Sequence, residues 1–373
     1  MRARSGQESC DPQVDHVVAG YCYGDSACGQ RCVYELGMTG VPVINVNNNC
    51  ATGGTALYLA KMLVQGGQSE CVLVVGFEKM EAGSLAPKFP DRENPVEQHF
   101  HQMAKRVGGA TAAPPTPQMF GNAAREHMRK YGSTEEHLAK IAAKNHANGQ
   151  RNPRAQSRVT PTPQEVLASK MVFPPLTKLQ CCPTSDGGAA AVVCSAAFLD
   201  SHPHLRSRAI QVVGMALRTD RGVLKNKSCM DLVGYSMTKD AADHCFAEAG
   251  MAPENVCVVE LHDCFTANEL ISYEALGLCP EGGAGAMVDR GDNTYGGRYV
   301  VNPSGGLIAK GHPLGATGLA QCAELCWQLK GAAGERQVPK AAEPGSAALQ
   351  HNIGLGGAAV VALYARAKSG ARL

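Results

Sequence analysis

The feature that most constrains the fold is a pattern of strand, glycine turn, helix and strand that occurs twice along the chain. In the first copy, residues 41–46 form a short β-branched run, residues 51–64 have helical spacing with small side chains, and residues 71–77 form a buried strand. The second copy repeats this order with one further strand, at residues 299–302, 314–329, 347–351 and 358–364. Alternating strands and helices are typical of layered α/β proteins. The sequence therefore predicts an internally duplicated α/β protein.

The two halves differ at their beginnings. The second half opens with a strand at residues 209–215, a helix at 236–249 and a strand at 256–261 before its copy of the pattern. The first half has only one strand there, at residues 14–21, and the thirteen residues before it are mostly polar. The first half is therefore expected to lack its opening βα unit.

A segment of different composition separates the halves. Residues 79–177 are rich in Pro, His and Arg, with helical patches at 121–131 and 134–148 between long irregular stretches. Residues 185–194 then indicate a turn into the closing strand of the first half. The expected organisation is an N-terminal half at residues 1–78 and 178–205, a loop domain at 79–177 and a C-terminal half at 206–373.

Composition narrows the function classes. The 373 residues carry a net charge of only +2, which gives no reason to expect nucleic-acid binding. Residues 79–160 hold 13 Lys/Arg against 7 Asp/Glu, a local excess that suits either an ordinary solvated face or an anionic substrate. The sixteen cysteines lie mostly in apolar runs and lack paired zinc spacing, so reduced thiols and no metal are expected. No apolar run approaches the roughly 20 residues that span a bilayer.

The candidate nucleophile is Cys50. It lies between a buried strand and a helix of small residues, in the segment 47–54. Free N–H groups at a helix start lower the pKa of a cysteine, and small neighbours leave room for a bulky thioester, so a thiolate is expected. The alternative is a structural buried cysteine, which is the commoner role of a cysteine.

A second group of candidates ends a hydrophobic strand. His262 and Cys264 follow the strand at the edge where open α/β sheets place their active sites. His262 suits stabilisation of an oxyanion, and Cys264 suits proton exchange with carbon. Asp263, at the alternate position, is expected to face away and cap the following helix.

Two glycine-rich loops complete the candidates. His312 precedes the helix equivalent to the one after Cys50, so a pseudo-two-fold axis would bring the two side chains together. Gly354, Leu355 and Gly356 follow a strand, where their N–H groups suit an oxyanion or simply a tight turn. The spacing does not match a dinucleotide fingerprint, so nicotinamide binding is disfavoured.

Five motifs, in this order, carry a family resemblance: NNNCATGGTAL, QCCPTSDGGAAA, LHDCFTANE, NPSGGLIAKGHPLGATG and HNIGLGG. From about Val14 to Tyr364 the chain resembles the sterol carrier protein X thiolases, a peroxisomal 3-oxoacyl-CoA thiolase family. Most other thiolases carry a C-terminal CxGGG motif, where this chain has HNIGLGG. The resemblance implies a thiolase fold of two βαβαβαββ halves around buried helices, usually in a homodimer.

The resemblance also implies roles for the candidate residues. Cys50 takes up the acyl group, His312 is its base, Cys264 is the acid/base at substrate C2, and His262 with His312 stabilises the enolate oxygen. The N–H groups of Cys50 and of the loop 354–356 hold the other oxyanion. CoA is a co-substrate, no cofactor is permanently bound, and the basic insert meets the CoA phosphates. The implied reaction is thiolysis of straight, 2-methyl-branched or sterol-side-chain 3-oxoacyl-CoA to acetyl- or propanoyl-CoA, in fatty-acid β-oxidation and bile-acid synthesis.

Two departures from the family and one address signal lead to further expectations. The sterol-carrier domain is absent, so direct lipid transfer is not expected. The family's first strand and helix are also absent, and that strand is expected to lie centrally in its sheet, which leaves a catalytically impaired truncated isoform with a binding or interaction role as the alternative. The ending Ala371-Arg372-Leu373 is similar to the S-K-L address, which favours a peroxisomal import receptor as partner.

Overall fold

The computed structural model describes residues 13–81, 91–222 and 228–366. Two predictions rest on residues outside these ranges. The peroxisomal import signal is the tripeptide 371–373, and the missing βα unit is inferred from the polar N-terminal segment, most of which is not described. The strands are β1 His16–Gly20, β2 Val43–Val46, β3 Cys71–Glu78, β4 Met171–Phe173, β5 Leu176–Thr177, β6 Gly187–Cys194, β7 Ile210–Arg218, β8 Val256–Glu260, β9 Val300–Val301, β10 Ala347–Gly354 and β11 Ala358–Arg366.

The α-helices are α1 Cys28–Tyr34, α2 Thr52–Gln65, α3 Pro95–Val107, α4 Pro115–Tyr131, α5 Glu135–Gln150, α6 Pro163–Ala168, α7 Ala196–Ser201, α8 Cys229–Leu232, α9 Tyr235–Ala249, α10 Thr266–Ala275, α11 Ala284–Asp289, α12 Gly306–Lys310 and α13 Leu314–Lys330. Short 3₁₀ turns lie at Lys178–Gln180, Pro203–Arg208, Pro253–Asn255, Gly334–Arg336 and Pro339–Ala342. None of the helices in the described ranges is long and apolar enough to cross a membrane.

Two sheets share one topology. The first has the order β2-β1-β3-β6, and the second has the order β7-β11-β10-β8-β9. In both, three parallel strands are followed by an antiparallel one, so β2-β1-β3-β6 matches β9-β8-β10-β11. The internal duplication predicted from the sequence is therefore confirmed.

The unmatched strand is β7. Among the described strands it pairs with β11 alone and lies at the edge of the second sheet, so the second half does not support the expectation that the corresponding strand is central. Among the described residues no strand pairs with the outer edge of β6, where Val192 is 60% exposed. The difference between the halves therefore affects an edge of the first sheet and not its middle.

Helices α2 and α13 lie side by side between the two sheets. Their apolar residues form one core with the inner faces of both sheets, and this core includes Leu57, Val74, Leu319 and Val360. Glycine permits the close approach, because a Cβ on Gly53 would lie only 2.8 Å from the carbonyl oxygen of Gly315. The helix that follows Cys50 is thus held against the helix that follows His312.

The insert is more helical than the expected long irregular stretches. Helices α3, α4, α5 and α6 occupy most of its described part. Helix α3 begins at a capping box in which the Asn94 side chain accepts from the Glu97 N–H and the Glu97 carboxylate accepts from the Asn94 N–H, with Pro95 at the first helical position. This start signal was legible in the sequence.

Candidate active site

Cys50 lies in the turn between β2 and α2. Asn49 has a left-handed φ of 51°, which asparagine tolerates better than most residues. The Thr52 hydroxyl accepts from the Asn48 N–H at 2.9 Å and donates to the Asn49 carbonyl at 2.5 Å. These bonds fix the turn, and they leave Cys50 half-buried at its surface.

His312 lies in the loop between α12 and α13, with its backbone N–H donating to the Ser185 hydroxyl at 2.8 Å. Its Nδ1 is 2.8 Å from the Thr317 hydroxyl, which also donates to the Pro313 carbonyl at 3.1 Å. Because a carbonyl only accepts, making both bonds requires Nδ1 to carry the ring proton. The buried Nε2 then presents a lone pair, and it has no hydrogen-bond partner within the described ranges.

His262 follows β8 and meets His312 edge to face, with ring centroids 4.9 Å apart and an interplanar angle of 85°. One ring nitrogen of each histidine and the Cys50 sulfur all lie within 4.8 Å of one another. The structure thus brings together three of the four predicted catalytic side chains. The two halves supply them jointly, Cys50 from the first and both histidines from the second.

Cys264, the fourth predicted residue, is buried two residues beyond His262. Its carbonyl accepts from the Cys182 N–H at 2.9 Å, beside a β-bridge between Cys181 and Phe265. Residues opposite each other in such a bridge share a face, so the thiols of Cys182 and Cys264 are neighbours. Burial holds the pKa of Cys264 well above its ordinary value, and the thiols of Cys182 and Cys50 add to the increase.

The electrostatics reverse one expectation. Burial raises the pKa of Cys50 to about 12, and the Glu78 carboxylate adds to the increase, so the expected resting thiolate is wrong. Burial, with a smaller contribution from Lys310, lowers the pKa of His312 to about 3, and it holds the pKa of His262 well below its usual range. The resting pair is therefore a neutral thiol beside a neutral imidazole.

Asp263 is fully buried, and its expected role is also corrected. Its carboxylate accepts from the N–H of Leu307 at 2.7 Å and from the side chain of Asn145 at 2.8 Å. It therefore caps α12 and not the helix that follows it, α10, which has no side-chain cap. In this way Asp263 anchors α12, which leads into His312, to the loop that carries His262.

The loop 354–356 packs against the turn that carries Cys50. A Cβ on Gly354 would lie 3.1 Å from the Cys50 nitrogen, and the Leu355 carbonyl accepts from the Asn49 side chain at 2.9 Å. Gly356 has a left-handed φ of 62° and lies close to Pro95 of α3. The loop is adjacent to the nucleophile, and its oxyanion role stays a prediction.

Sequence reasoning missed several residues that position the site. Cys182 lies beside Cys264, and Ser185 and Thr317 bond His312. Glu78 lies at the start of α13, and Asn352 lies between Cys50 and His262. Four of them lie inside the five motifs, so the motifs were their only signal. Glu78 lies outside the motifs and left no local signal.

Comparison with known proteins agrees with the geometry. The family model described as "Thiolase, N-terminal domain" matches residues 10–197, and the model "Thiolase C-terminal domain-like" matches residues 224–366. The chain belongs to the thiolase family. Thiolases are acyltransferases, and both halves of the family fold are represented.

Individual relatives place the chain within the family. It is 57% identical over 353 residues to sterol carrier protein 2 of Oryctolagus cuniculus, covering 94% of this chain and 63% of that protein. It is 48% identical over 355 residues to the non-specific lipid-transfer protein-like 2 of Caenorhabditis elegans, covering 94% and 85%. The chain therefore spans less than two thirds of the length of the Oryctolagus cuniculus protein.

A solved structure supports the fold. The monomeric SCP2-thiolase like protein type 1 of Mycobacterium smegmatis aligns with a TM-score of 0.70 at 16% identity, over 95% of this chain and 68% of that one. At this identity the match shows the fold alone. The thiolase fold expected from the sequence motifs is thereby confirmed.

Proposed function

We propose that the chain cleaves 3-oxoacyl-CoA by thiolysis, with Cys50 as nucleophile. The observation that carries this proposal is the cluster of the Cys50 sulfur with one ring nitrogen each of His262 and His312, all within 4.8 Å. A nucleophile beside a lone pair that accepts its proton, with a second imidazole next to both, suits acyl transfer from carbon to sulfur.

The chemistry divides into two half-reactions at one site. His312 Nε2 takes the thiol proton as Cys50 attacks the 3-oxo carbon, and breaking the C2–C3 bond leaves an acyl-thioester on Cys50 and an enolate of the shorter CoA ester. His262 and His312 hold the enolate oxygen while Cys264 delivers a proton to C2. The thiol of incoming CoA then attacks the thioester and gives its proton to the Cys264 thiolate, while Cys50 leaves as a thiol with the proton that His312 held. The products are the chain-shortened acyl-CoA and acetyl- or propanoyl-CoA.

The neutral resting pair fits this sequence of steps. Proton transfer from a thiol to an imidazole separates charge, which a buried site disfavours until a polarised substrate carbonyl accepts the negative charge. The thiolate therefore forms as the carbonyl is attacked, and it is not exposed to side reactions in the empty site. The raised pKa of Cys50 and the lowered pKa of His312 both support this order.

Removal of the nucleophile tests the proposal. CoA-dependent loss of a 3-oxoacyl-CoA is expected to vanish in Cys50→Ala and to fall at least ~100-fold in Cys264→Ala, since general acid–base catalysis contributes about 10²–10⁴. Cys194→Ala, which changes a half-buried cysteine at the end of β6, is the matched control and keeps its turnover. A chelator tests a metal role for the Cys/His cluster, and turnover that survives it supports the direct mechanism. Unchanged turnover in Cys50→Ala contradicts the proposal.

The substrates follow from the relatives and not from the geometry. The resemblance of the five motifs to the sterol carrier protein X thiolases is the support for straight, 2-methyl-branched and sterol-side-chain acyl groups, and hence for roles in fatty-acid β-oxidation and bile-acid synthesis. The excess of Lys and Arg between residues 79 and 160 supports binding of the CoA phosphates by the insert. The ratio of kcat/KM for CoA to that for dephospho-CoA measures the contribution of phosphate binding. Equal values would contradict binding of that phosphate by the insert.

Two rival functions stay testable. The same residues catalyse Claisen condensation, and the ratio of thiolysis to condensation at equal substrate concentration decides between the directions. The alternative of an impaired isoform that binds a partner is supported by the outer edge of β6, with which no strand of the described ranges pairs. The test compares this chain with a form to which a βα unit is added beside β6. If this chain shows no cooperative unfolding transition and the extended form is active, the alternative is favoured.

Assembly and localisation are part of the proposal. Exposed Tyr34, Leu36 and Met38 lie next to β2, an edge strand, which supports a homodimer through this face. Sedimentation is expected to show a dimer that Met38→Glu weakens, and a monomeric parent contradicts this. Peroxisomal import through residues 371–373 predicts that a reporter carrying the last dozen residues moves to peroxisomes, and a cytosolic reporter contradicts it.

A further inference from the structure

Asn352 is a fully buried amide at the point where the two halves meet at Cys50. Its Oδ1 accepts from the Gly54 N–H at 3.0 Å, and its Nδ2 donates to the Cys50 carbonyl at 2.8 Å. Backbone N–H groups only donate and carbonyls only accept, so these two bonds fix the orientation of the amide.

The remaining proton of Nδ2 points at His262. The distance from Nδ2 to His262 Nδ1 is 3.2 Å. Because Nδ2 only donates, Nδ1 of the neutral ring has to accept, and the ring proton is then on Nε2. Thr317 holds His312 in the opposite tautomer, with its proton on Nδ1. One imidazole thus presents a donor and the other a lone pair.

The equivalent strand of the first half provides a comparison. Glu78 ends β3 and accepts from the Gly315 N–H of α13 at 3.1 Å, as Asn352 in β10 accepts from the Gly54 N–H of α2. A carboxylate is the better partner for a helix N-terminus. An amide is therefore the weaker choice at position 352 for capping alone, and its advantage is the donor that a carboxylate lacks.

We infer that Asn352 is a positioning residue that holds His262 as the Nε2–H tautomer, so that His262 donates to the oxyanion while His312 acts as the base. The inference rests on the proposed thiolysis for its kinetic consequence, but the tautomer is a property of the resting protein. Without Asn352 the two imidazoles are free to take the same tautomer, and the site loses its division into donor and base.

The test is Asn352→Asp with Gln350→Glu as matched control. Burial favours the protonated form of a carboxylic acid at position 352, and its single O–H then replaces two N–H donors, so the Cys50 carbonyl and His262 Nδ1 compete for it and the hold on the His262 tautomer is weakened. Gln350 is an equally buried amide two residues earlier in β10, bonded to Gly318 and Tyr364 and not to Cys50 or His262. The same change of amide to acid is thus made with and without weakening of the contact to His262.

Two readouts are expected to move together. Nitrogen NMR of histidine-labelled protein shows His262 as the Nε2–H tautomer in the parent and in Gln350→Glu, and this signal is reduced in Asn352→Asp. The kcat of Asn352→Asp falls about 100-fold, the usual effect of removing one oxyanion donor, with KM within about threefold. A merely structural role would lower the thermal midpoint without changing the tautomer.

The outcomes are distinguishable. An Nδ1–H tautomer of His262 in the parent protein overturns the inference, and this measurement needs no variant to fold. Asn352→Asp with parental tautomer and parental kcat also overturns it. A parent that shows the Nε2–H tautomer but no thiolysis supports the positioning role and contradicts the proposed function instead.

Discussion

Substitution of Gly53 by alanine probes the packing that joins the two halves. Gly53 lies three residues after Cys50, and a Cβ there would lie 2.8 Å from the Gly315 carbonyl and 2.9 Å from the Gly318 nitrogen, both in the backbone of α13. Ordinary van der Waals contact begins near 3.4 Å. The two helices therefore have to separate by about 0.5 Å at the level of Cys50 and His312.

The magnitude follows from two opposing effects. Overpacking a well-packed core costs about 1–3 kcal/mol, and replacing a helical glycine by alanine returns about 0.5–1 kcal/mol. A net destabilisation of about 1–2 kcal/mol is expected. Since misplacement by 1 Å can cost about 100-fold in rate, a shift of half that size is expected to lower kcat about tenfold.

The assay compares urea unfolding and thiolysis in Gly53→Ala and in a matched variant. Gly66→Ala makes the same change at the exposed C-terminal end of α2, where the added methyl meets only the Met62 carbonyl of the same helix. The matched variant is expected to keep its kcat and to lie within ~0.5 kcal/mol of the parent. A Gly53→Ala protein as stable and as active as Gly66→Ala would refute the claim that close packing of α2 against α13 positions Cys50 and His312.

Three further outcomes are expected. Thr317→Val removes the partner of His312 Nδ1 and is expected to lower kcat about tenfold with little change in KM, measured by steady-state kinetics. Glu78→Gln removes a charge that raises the pKa of Cys50, so alkylation of Cys50 by iodoacetamide at pH 8 is expected to be faster, while the thermal midpoint falls. His351, with its pKa lowered by burial to about 3, is neutral when folded and charged when unfolded below about pH 6.5, so it destabilises the fold as pH falls. In His351→Gln the free energy of unfolding is expected to fall about 2 kcal/mol less between pH 7 and pH 5 than in the parent, as measured by urea titration.

Most of the fold could be predicted from the sequence because the patterns that indicate strands and helices are local. The β-branched runs and the helix of small residues after Cys50 predicted strands and helix that the structure confirms as β2, α2 and β3. Periodicity and turn residues depend on neighbours a few positions apart, which a sequence displays directly. The capping box at Asn94 and Glu97 is equally local, although sequence reasoning missed the helix that it begins.

The parts that escaped prediction depend on distant contacts. Asn352 bonds Gly54 across 298 residues, and Glu78 bonds Gly315 across 237 residues. The pKa of Cys50 was misjudged for the same reason, because a helix start is visible in the sequence and the burial that outweighs it is not. Asp263 was assigned to the nearest helix, although the helix it caps begins some forty residues later.

The most direct test of the account is to trap the acyl-enzyme. Brief incubation with a 3-oxoacyl-CoA in the absence of free CoA, followed by acid quench and peptide mass spectrometry, reports which side chain takes up the acyl group. The account predicts an acyl-thioester on the peptide that contains Cys50, absent in Cys50→Ala and released when CoA is added. An acyl group on Cys182 or Cys264, or turnover by Cys50→Ala at the parental rate, would contradict it.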